Sequence, residues 1–319
     1  YYPTQAGTVH PHLSFDLLGQ QIEALHAVDI RCPIYFSIRW DELAGLEHPE
    51  WLLVDKDGRL VGRSPLGNEW GWRTVDPASG YGDYVLAQVE ELCDQYPVDG
   101  FFFDICFPMP NYSPWGLEQL QKANVDAEDD AAVWAFARRQ QEQFFERLTG
   151  YVRSRVETAT VFYNNTVSRD MRRAAPYMTH FEVESLPTTT HWGYLHGPIS
   201  CRQTRTVSSE FLGMTGRFHE SWGDFGGLKT RDQMAYECGV IVSSGGKISI
   251  GDQLHPNGKL DPAVYRLIGA MYERIEALEP WLTDAVPMRE AAVLAVGPVQ
   301  NVRDGVGIYS KGTEGAAQL

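Results

Sequence analysis

The stretch VDGFFFDICFPMP, residues 98–110, decides how the chain is read. Three consecutive phenylalanines form a short apolar run of strand type, and such a run belongs in a core. A carboxylate, Asp104, follows them at once. The flanking segments are helical in pattern: YVLAQVEELCDQY (84–96) before it, and 131–156 after it, where Gly150 is expected as an interruption.

Working outward, 15–28 carries Leu17, Leu18, Ile22 and Leu25 at helical spacing. The run 32–38 is a strand candidate. WLLVDKDGRLV (51–61) holds an Asp-Gly turn between apolar runs, which predicts a hairpin. Further strands are predicted at 159–164, 178–184, 210–216 and 246–252, with helices at 169–175, 230–242 and 262–278. Strand alternating with helix points to an α/β fold with a parallel sheet and crossover helices.

The strands number six, and a (β/α)8 barrel needs eight. The opening YYPTQAGTVHPH has neither an initiator Met nor a leader and reads as the middle of a protein. The expectation is therefore a (β/α)8 barrel whose first one or two strands lie upstream. An open doubly wound sheet is the alternative, but GGLK (226–229) and SSGGK (243–247) lack phosphate-loop spacing and no GxGxxG follows a strand. REAAVLAV (289–296) looks like a new strand. The expected domains are a barrel over 1–284 and the start of a second α/β domain over 285–319.

Of the 319 residues, 43% are hydrophobic, enough for a large core. The formal charge of −15 repels phosphate backbones, which argues against a nucleic-acid partner. No apolar run approaches the roughly 20 residues that span a bilayer, so no membrane partner is expected. Cys32, Cys93, Cys106, Cys201 and Cys238 are scattered and include no CxxC, which suits reduced thiols in a cytoplasm. The sequons at Asn111 and Asn164 read as chance matches.

Barrel active sites lie at the carboxyl ends of strands. That rule selects Asp104, Trp40, Asn164, Asn165, Glu182, Glu184, Arg217, His219, Glu220, Asp252 and His255. Two carboxylates on separate strands of one rim are what glycoside hydrolysis needs, and a retaining enzyme holds them about 5–5.5 Å apart. Asp104 and Glu184 are the expected pair. Glu182 lies two positions before Glu184 and so shares its face. The competing reading is ordinary: a strand-end Asp often caps a helix or pairs with Arg. Neither a metal nor any other cofactor is expected, since His10, His12, His180, His191, His196 and His219 show no convincing ligand spacing. Tyr35, Trp40, Trp70, Trp72, Trp115, Trp192 and Trp222 are core by default, but those after strands suit stacking on a sugar. No GxSxG elbow supports a serine triad.

Several segments together resemble the α-L-fucosidases of glycoside hydrolase family 29. More closely, they resemble fucosidase-like hypothetical glycosyl hydrolases that carry a β-galactosidase-type trimerisation domain downstream. They are FDLLGQQIEALHAVDIRCPIYFSIRW (15–40), YPVDGFFFD (96–104), VFYNN (161–165), HFEVESLP (180–187), HESWGDF (219–225) and 239–281, over roughly residues 1–282. The resemblance implies Asp104 as nucleophile and an acid/base on the sixth strand, with Glu184 first and Glu182 and Glu220 as substitutes. It implies Tyr35 and Trp40 near the sugar. The family's His-His-Asp-Gly motif would precede residue 1, and Thr166 stands where the fifth-strand Arg would be.

The reading that follows is a retaining exo-glycoside hydrolase of α-L-fucosidase type. Tyr35, Trp40, Asn164, Glu182, His219, Glu220 and Trp222 would shape its sugar pocket. Its partners would be a glycoside or oligosaccharide substrate and, through the C-terminal domain, further copies of itself in a trimer. A β-galactosidase or arabinosidase on the same scaffold, or a non-catalytic carbohydrate-binding barrel, are the alternatives.

Overall fold

The computed structural model of the chain describes residues 1–62, 72–167, 171–188, 193–208, 210–220 and 222–288. Trp70, His191, Trp192 and the expected strand at 289–296 lie outside them. The chain divides into two compact units, residues 1–165 with 176–179, and residues 166–175 with 180 onward. Each unit holds a three-stranded parallel sheet, and all six expected strands are present.

The first unit runs α1 (Leu17–His26), β1 (Ile34–Ser37), α2 (Glu42–Glu47), α3 (Gly80–Gln95), β2 (Gly100–Asp104), α4 (Pro114–Lys122), α5 (Asp130–Arg155) and β3 (Thr160–Tyr163). The strand order is β1-β2-β3. Register pairs Tyr35 with Phe102 and Phe102 with Phe162, and Ser37 with Asp104. Side chains alternate along a strand, so the phenylalanine run splits between faces. Phe101 and Phe103 are fully buried and stack 5.2 Å apart. Phe103 continues onto Tyr163, whose ring stacks on Phe145 of α5 at 3.7 Å. Phe102 takes the other face, against Tyr35 at 5.2 Å and Phe162 at 4.3 Å. Asp104 shares that second face, which explains a carboxylate after an apolar run.

Gly100 is required by close approach: a Cβ there would overlap the backbone oxygen and Oγ1 of Thr160 on β3. Gly150 does not interrupt α5, contrary to expectation. Glycine costs a helix about 1 kcal/mol against alanine. Burial of Phe145, Leu148 and Val152 on the same helix outweighs that at about 1.5–3 kcal/mol each. The Asp-Gly turn is present, with Val54 and Leu60 bridged antiparallel across it. The opening segment is pinned to α3 by Glu91, which accepts from Tyr2 OH (2.9 Å), Thr4 Oγ1 (2.5 Å) and the Gln5 and Ala6 N–H groups (2.5 and 3.3 Å).

The second unit runs α6 (Met171–Ala174), β4 (Phe181–Glu184), α7 (Gly193–Thr204), β5 (Phe211–Gly216), α8 (Arg231–Ser243), β6 (Lys247–Gly251), α9 (Pro262–Glu276) and α10 (Glu279–Leu282), in strand order β4-β5-β6. Thr230 and Gln233 close a capping box on α8. Met234 and Cys238 of α8 pack with Met271 and Ile275 of α9 over Ile248 and Ile250 of β6. A buried polar knot lies behind β5. Lys229 Nζ donates to Glu237 Oε2 (2.7 Å) and Thr215 Oγ1 (2.9 Å), and Thr215 donates to Glu237 Oε2 (2.5 Å). Burial pulls the Lys229 ammonium below its ordinary pKa, and Glu237 opposes that pull.

Candidate active site

In the first unit, Asp104 ends β2 and its carboxylate collects three donors. Oδ2 accepts from Tyr35 OH (2.6 Å). Oδ1 accepts from Asn164 Nδ2 (3.0 Å) and from the N–H of Ile105 (2.7 Å). Register explains the set. Tyr35 lies on the same face two positions before Ser37, the partner of Asp104, and its long side chain runs forward along the sheet. Asn164 extends β3 by one residue, with its N–H on Phe103 O at 2.8 Å.

Both strands leave the site through left-handed residues, Ile105 (φ 61°) and Asn165 (φ 63°). Asparagine tolerates this region, whereas a β-branched residue there is an outlier that costs on the order of 1–3 kcal/mol. The next residue helps to hold the turn. Cys106 is buried, its thiol donates to Phe103 O (3.2 Å), and its carbonyl accepts from Gln141 Nε2 of α5 (2.9 Å). The strained turn aims the Ile105 N–H back at the Asp104 carboxylate. Trp40 is half-buried, with its N–H on Ser37 Oγ (3.1 Å), and its ring lies nearly parallel to Trp72 at 6.4 Å. Tyr35 and Trp72 are exposed.

The second unit holds a separate cluster. Glu182 is buried on β4, and Glu184 ends that strand half-buried. Trp222 Nε1 donates to Glu184 Oε1 at 2.9 Å. Trp222 belongs to the excursion from Arg217 to Lys229 between β5 and α8, which also carries His219 and Glu220, both exposed. Arg217 is buried and bonds Asp252 Oδ1 through Nε (2.8 Å) and the carbonyls of Asp224, Phe225 and Gly227 through NH1 (3.2, 3.0 and 2.6 Å).

Of the residues expected at the site, the structure joins Tyr35 and Asn164 to Asp104 in the first unit and Trp222 to Glu184 in the second. Sequence reasoning missed the roles of Ile105 and Arg217. An Ile in a left-handed turn leaves no sequence signature, and Arg217 looked like one rim residue among several. Asn111 and Asn164 of the two sequons are buried, and each donates its amide to an aspartate. Among the described residues no group of three or more His, Cys, Asp or Glu is arranged to hold a metal ion, and no helix is long and apolar enough to cross a membrane.

Comparison with known proteins adds to this geometry. Residues 1–105 match the family described as Hypothetical glycosyl hydrolase 6. The chain is 37% identical to α-L-fucosidase isoenzyme 2 from Paenibacillus thiaminolyticus, with a TM-score of 0.85 over 90% of this chain and 43% of that one. It therefore spans less than half of that enzyme. A GH42 β-galactosidase from G. stearothermophilus shares the fold, with TM-score 0.61, 11% identity, and coverage of 85% of this chain and 50% of that one. A GH29 α-L-fucosidase from Bacteroides thetaiotaomicron gives TM-score 0.50, 14% identity, and coverage of 86% and 53%. No curated protein matches the sequence. The chain is an α/β protein with parallel sheets that resembles the α-L-fucosidase-like glycoside hydrolases in both sequence and fold.

Proposed function

We propose that this chain is the catalytic part of a retaining exo-glycoside hydrolase of α-L-fucosidase type. The observation that carries the reading is the Asp104 carboxylate, held by three donors at a strand's carboxyl end and followed by a strained turn. The 37% identity to an α-L-fucosidase supports the sugar. In the barrel reading, the six parallel strand–helix units are six of eight, and residues 285–319 open a trimerisation-like domain. Light scattering of the protein tests the trimer.

The geometry suggests which atoms act. Oδ1 of Asp104 accepts two hydrogen bonds and Oδ2 one, so Oδ2 keeps an available lone pair and attacks the anomeric carbon. The bond to the leaving oxygen breaks as Glu184 gives that oxygen its proton. The Trp222 indole N–H only donates. Its bond to Glu184 Oε1 orients that carboxyl for proton transfer. In the second step Glu184 takes a proton from water, which displaces Asp104 from the sugar. Tyr35, Asn164, Trp40, Glu182, His219 and Glu220 complete the proposed pocket.

The test is nitrophenol release from a panel of α- and β-glycosides by wild type and Asp104→Gly. Turnover of an α-L-fucoside that falls on the order of 10^4-fold or more in the variant supports the reading. Turnover that survives the substitution refutes it. Turnover of a β-galactoside or an arabinoside alone would reassign the sugar.

A further inference from the structure

We infer that Arg217 is a positioning residue for the acid/base step, acting through Trp222 on Glu184; this rests on the reading of Glu184 as the acid/base. The excursion that carries Trp222 contains Gly223, Gly226 and Gly227 and no helix or strand among its described residues. Glycine-rich backbone has little intrinsic order, yet the Trp222 indole must hold a hydrogen bond. Something has to fix the loop.

One guanidinium does so. Arg217 NH1 gathers three carbonyls from 224–227 while Nε takes Asp252 just beyond β6. The loop is closed at its base, where the Lys229 N–H donates to Arg217 O (3.0 Å) and the Arg217 N–H donates to Gly251 O (3.0 Å). Gly223 N–H donates to Gln253 Oε1 (2.6 Å). From the guanidinium a continuous line of contacts reaches the carboxylate. Arg217 lies over the Phe218 ring at 4.4 Å, Phe218 meets Trp222 edge to face at 5.3 Å, and Trp222 bonds Glu184. The indole also rests on Gly251, where a Cβ would overlap its six-membered ring. Lysine is no substitute for Arg217, since one ammonium lacks the planar fork that serves the carboxylate and the carbonyls together.

A merely structural arginine would hold the unit together and leave chemistry selective for nothing. The positioning role makes a sharper claim: proton delivery should suffer in particular. Two aryl glycosides of the preferred sugar separate the cases. Dinitrophenolate leaves without a proton, whereas phenolate needs one. In the intact protein, Arg217→Lys is expected to lower kcat/KM, which reports the first step alone, about 10- to 100-fold for the phenyl glycoside, the range for one lost charge-assisted bond, and less than about threefold for the dinitrophenyl glycoside. Gly251→Ala, which displaces the indole and leaves Arg217 in place, should give the same pattern. Arg217→Lys combined with Trp222→Phe should be no slower than the slower single variant, because both act on one path.

Equal slowing of both substrates, no slowing, or multiplicative effects would overturn the inference. Glu184→Gln serves as the reference. If it is selective for the phenyl glycoside and Arg217→Lys is not, the inference alone fails. If Glu184→Gln is unselective, the acid/base reading fails and takes the inference with it. A readout independent of turnover is the Trp222 indole N–H resonance, assigned by its loss in Trp222→Phe. It should shift and exchange faster in Arg217→Lys, and an unchanged resonance refutes the positioning role.

Discussion

Tyr35→Phe isolates one bond of the candidate nucleophile. The substitution removes the hydroxyl that donates to Asp104 Oδ2 at 2.6 Å and keeps the ring that packs on Phe102 at 5.2 Å. A hydrogen bond to a charged group contributes about 1.5–3 kcal/mol. Tyr35 is 57% exposed, so water takes over part of the lost bond. The expected loss is therefore at or below the low end, about 1–1.5 kcal/mol, which is roughly 5- to 15-fold. The loss should fall on kcat, because the carboxylate is aimed for attack rather than for ground-state binding. Stability should change little, since the Tyr35 side chain is exposed and Asp104 keeps its bonds from Asn164 and Ile105. Steady-state kinetics on the panel's best glycoside, with a thermal melt alongside, provides the check. An unchanged kcat would show that Tyr35 does not orient Asp104. A melting point several degrees lower would show that the bond serves the fold instead.

Lys229→Met alone leaves the Glu237 carboxylate buried without its cation and is expected to cost about 3–5 kcal/mol in a urea titration. Adding Glu237→Leu should restore most of that, and a double variant as weak as the single would refute the account. Burial lowers the pKa of His196 from 6.5 to about 4, so the unfolded chain binds the extra proton first as pH falls. This contribution to stability is intact above about pH 6.5 and is lost between there and about pH 4, reaching about 3 kcal/mol. His196→Gln should flatten that part of the stability–pH curve; an unchanged slope would count against it. Burial pushes the Cys201 and Cys238 thiols up to about 12 and Cys93 up to about 11, and it holds Cys106 well above its usual value. A thiol reagent at pH 8 should label these four slowly in the native protein and all five cysteines after denaturation. Rapid native labelling would contradict the burial.

β1, β2, β3 and β5 are legible as short apolar runs, the trace a buried parallel strand leaves, whereas β4 (FEVE) and β6 (KISIG) carry apolar residues only at alternate positions. The helices were less legible. α7 carries Gly193, Gly197 and Pro198, which blur any helical period, and its helix packs against α8, a contact that no local pattern encodes. α5 shows the reverse error: a single Gly150 looked like a break, but burial on either side of it prevailed. Asp104 and Asn164 follow from one rule, that chemistry gathers at strand ends, whereas Tyr35 follows from the family resemblance. The rule names positions and not orientations. That Tyr35 reaches forward two positions to Asp104 follows from register, and register depends on pairings far apart in sequence. Arg217 depends on a loop's backbone carbonyls, which every residue type carries alike, so no reading of side chains reveals it.

The turn at Ile105 has one more consequence. Its amide proton points at the group proposed to become covalently bonded to sugar, so this backbone N–H is a native sensor of the chemical state of Asp104. Carboxylate, carboxylic acid and glycosyl ester differ in the electron density they offer that proton. A single isotope label at residue 105 would therefore report the populations of the three during steady turnover, without a probe placed anywhere in the pocket.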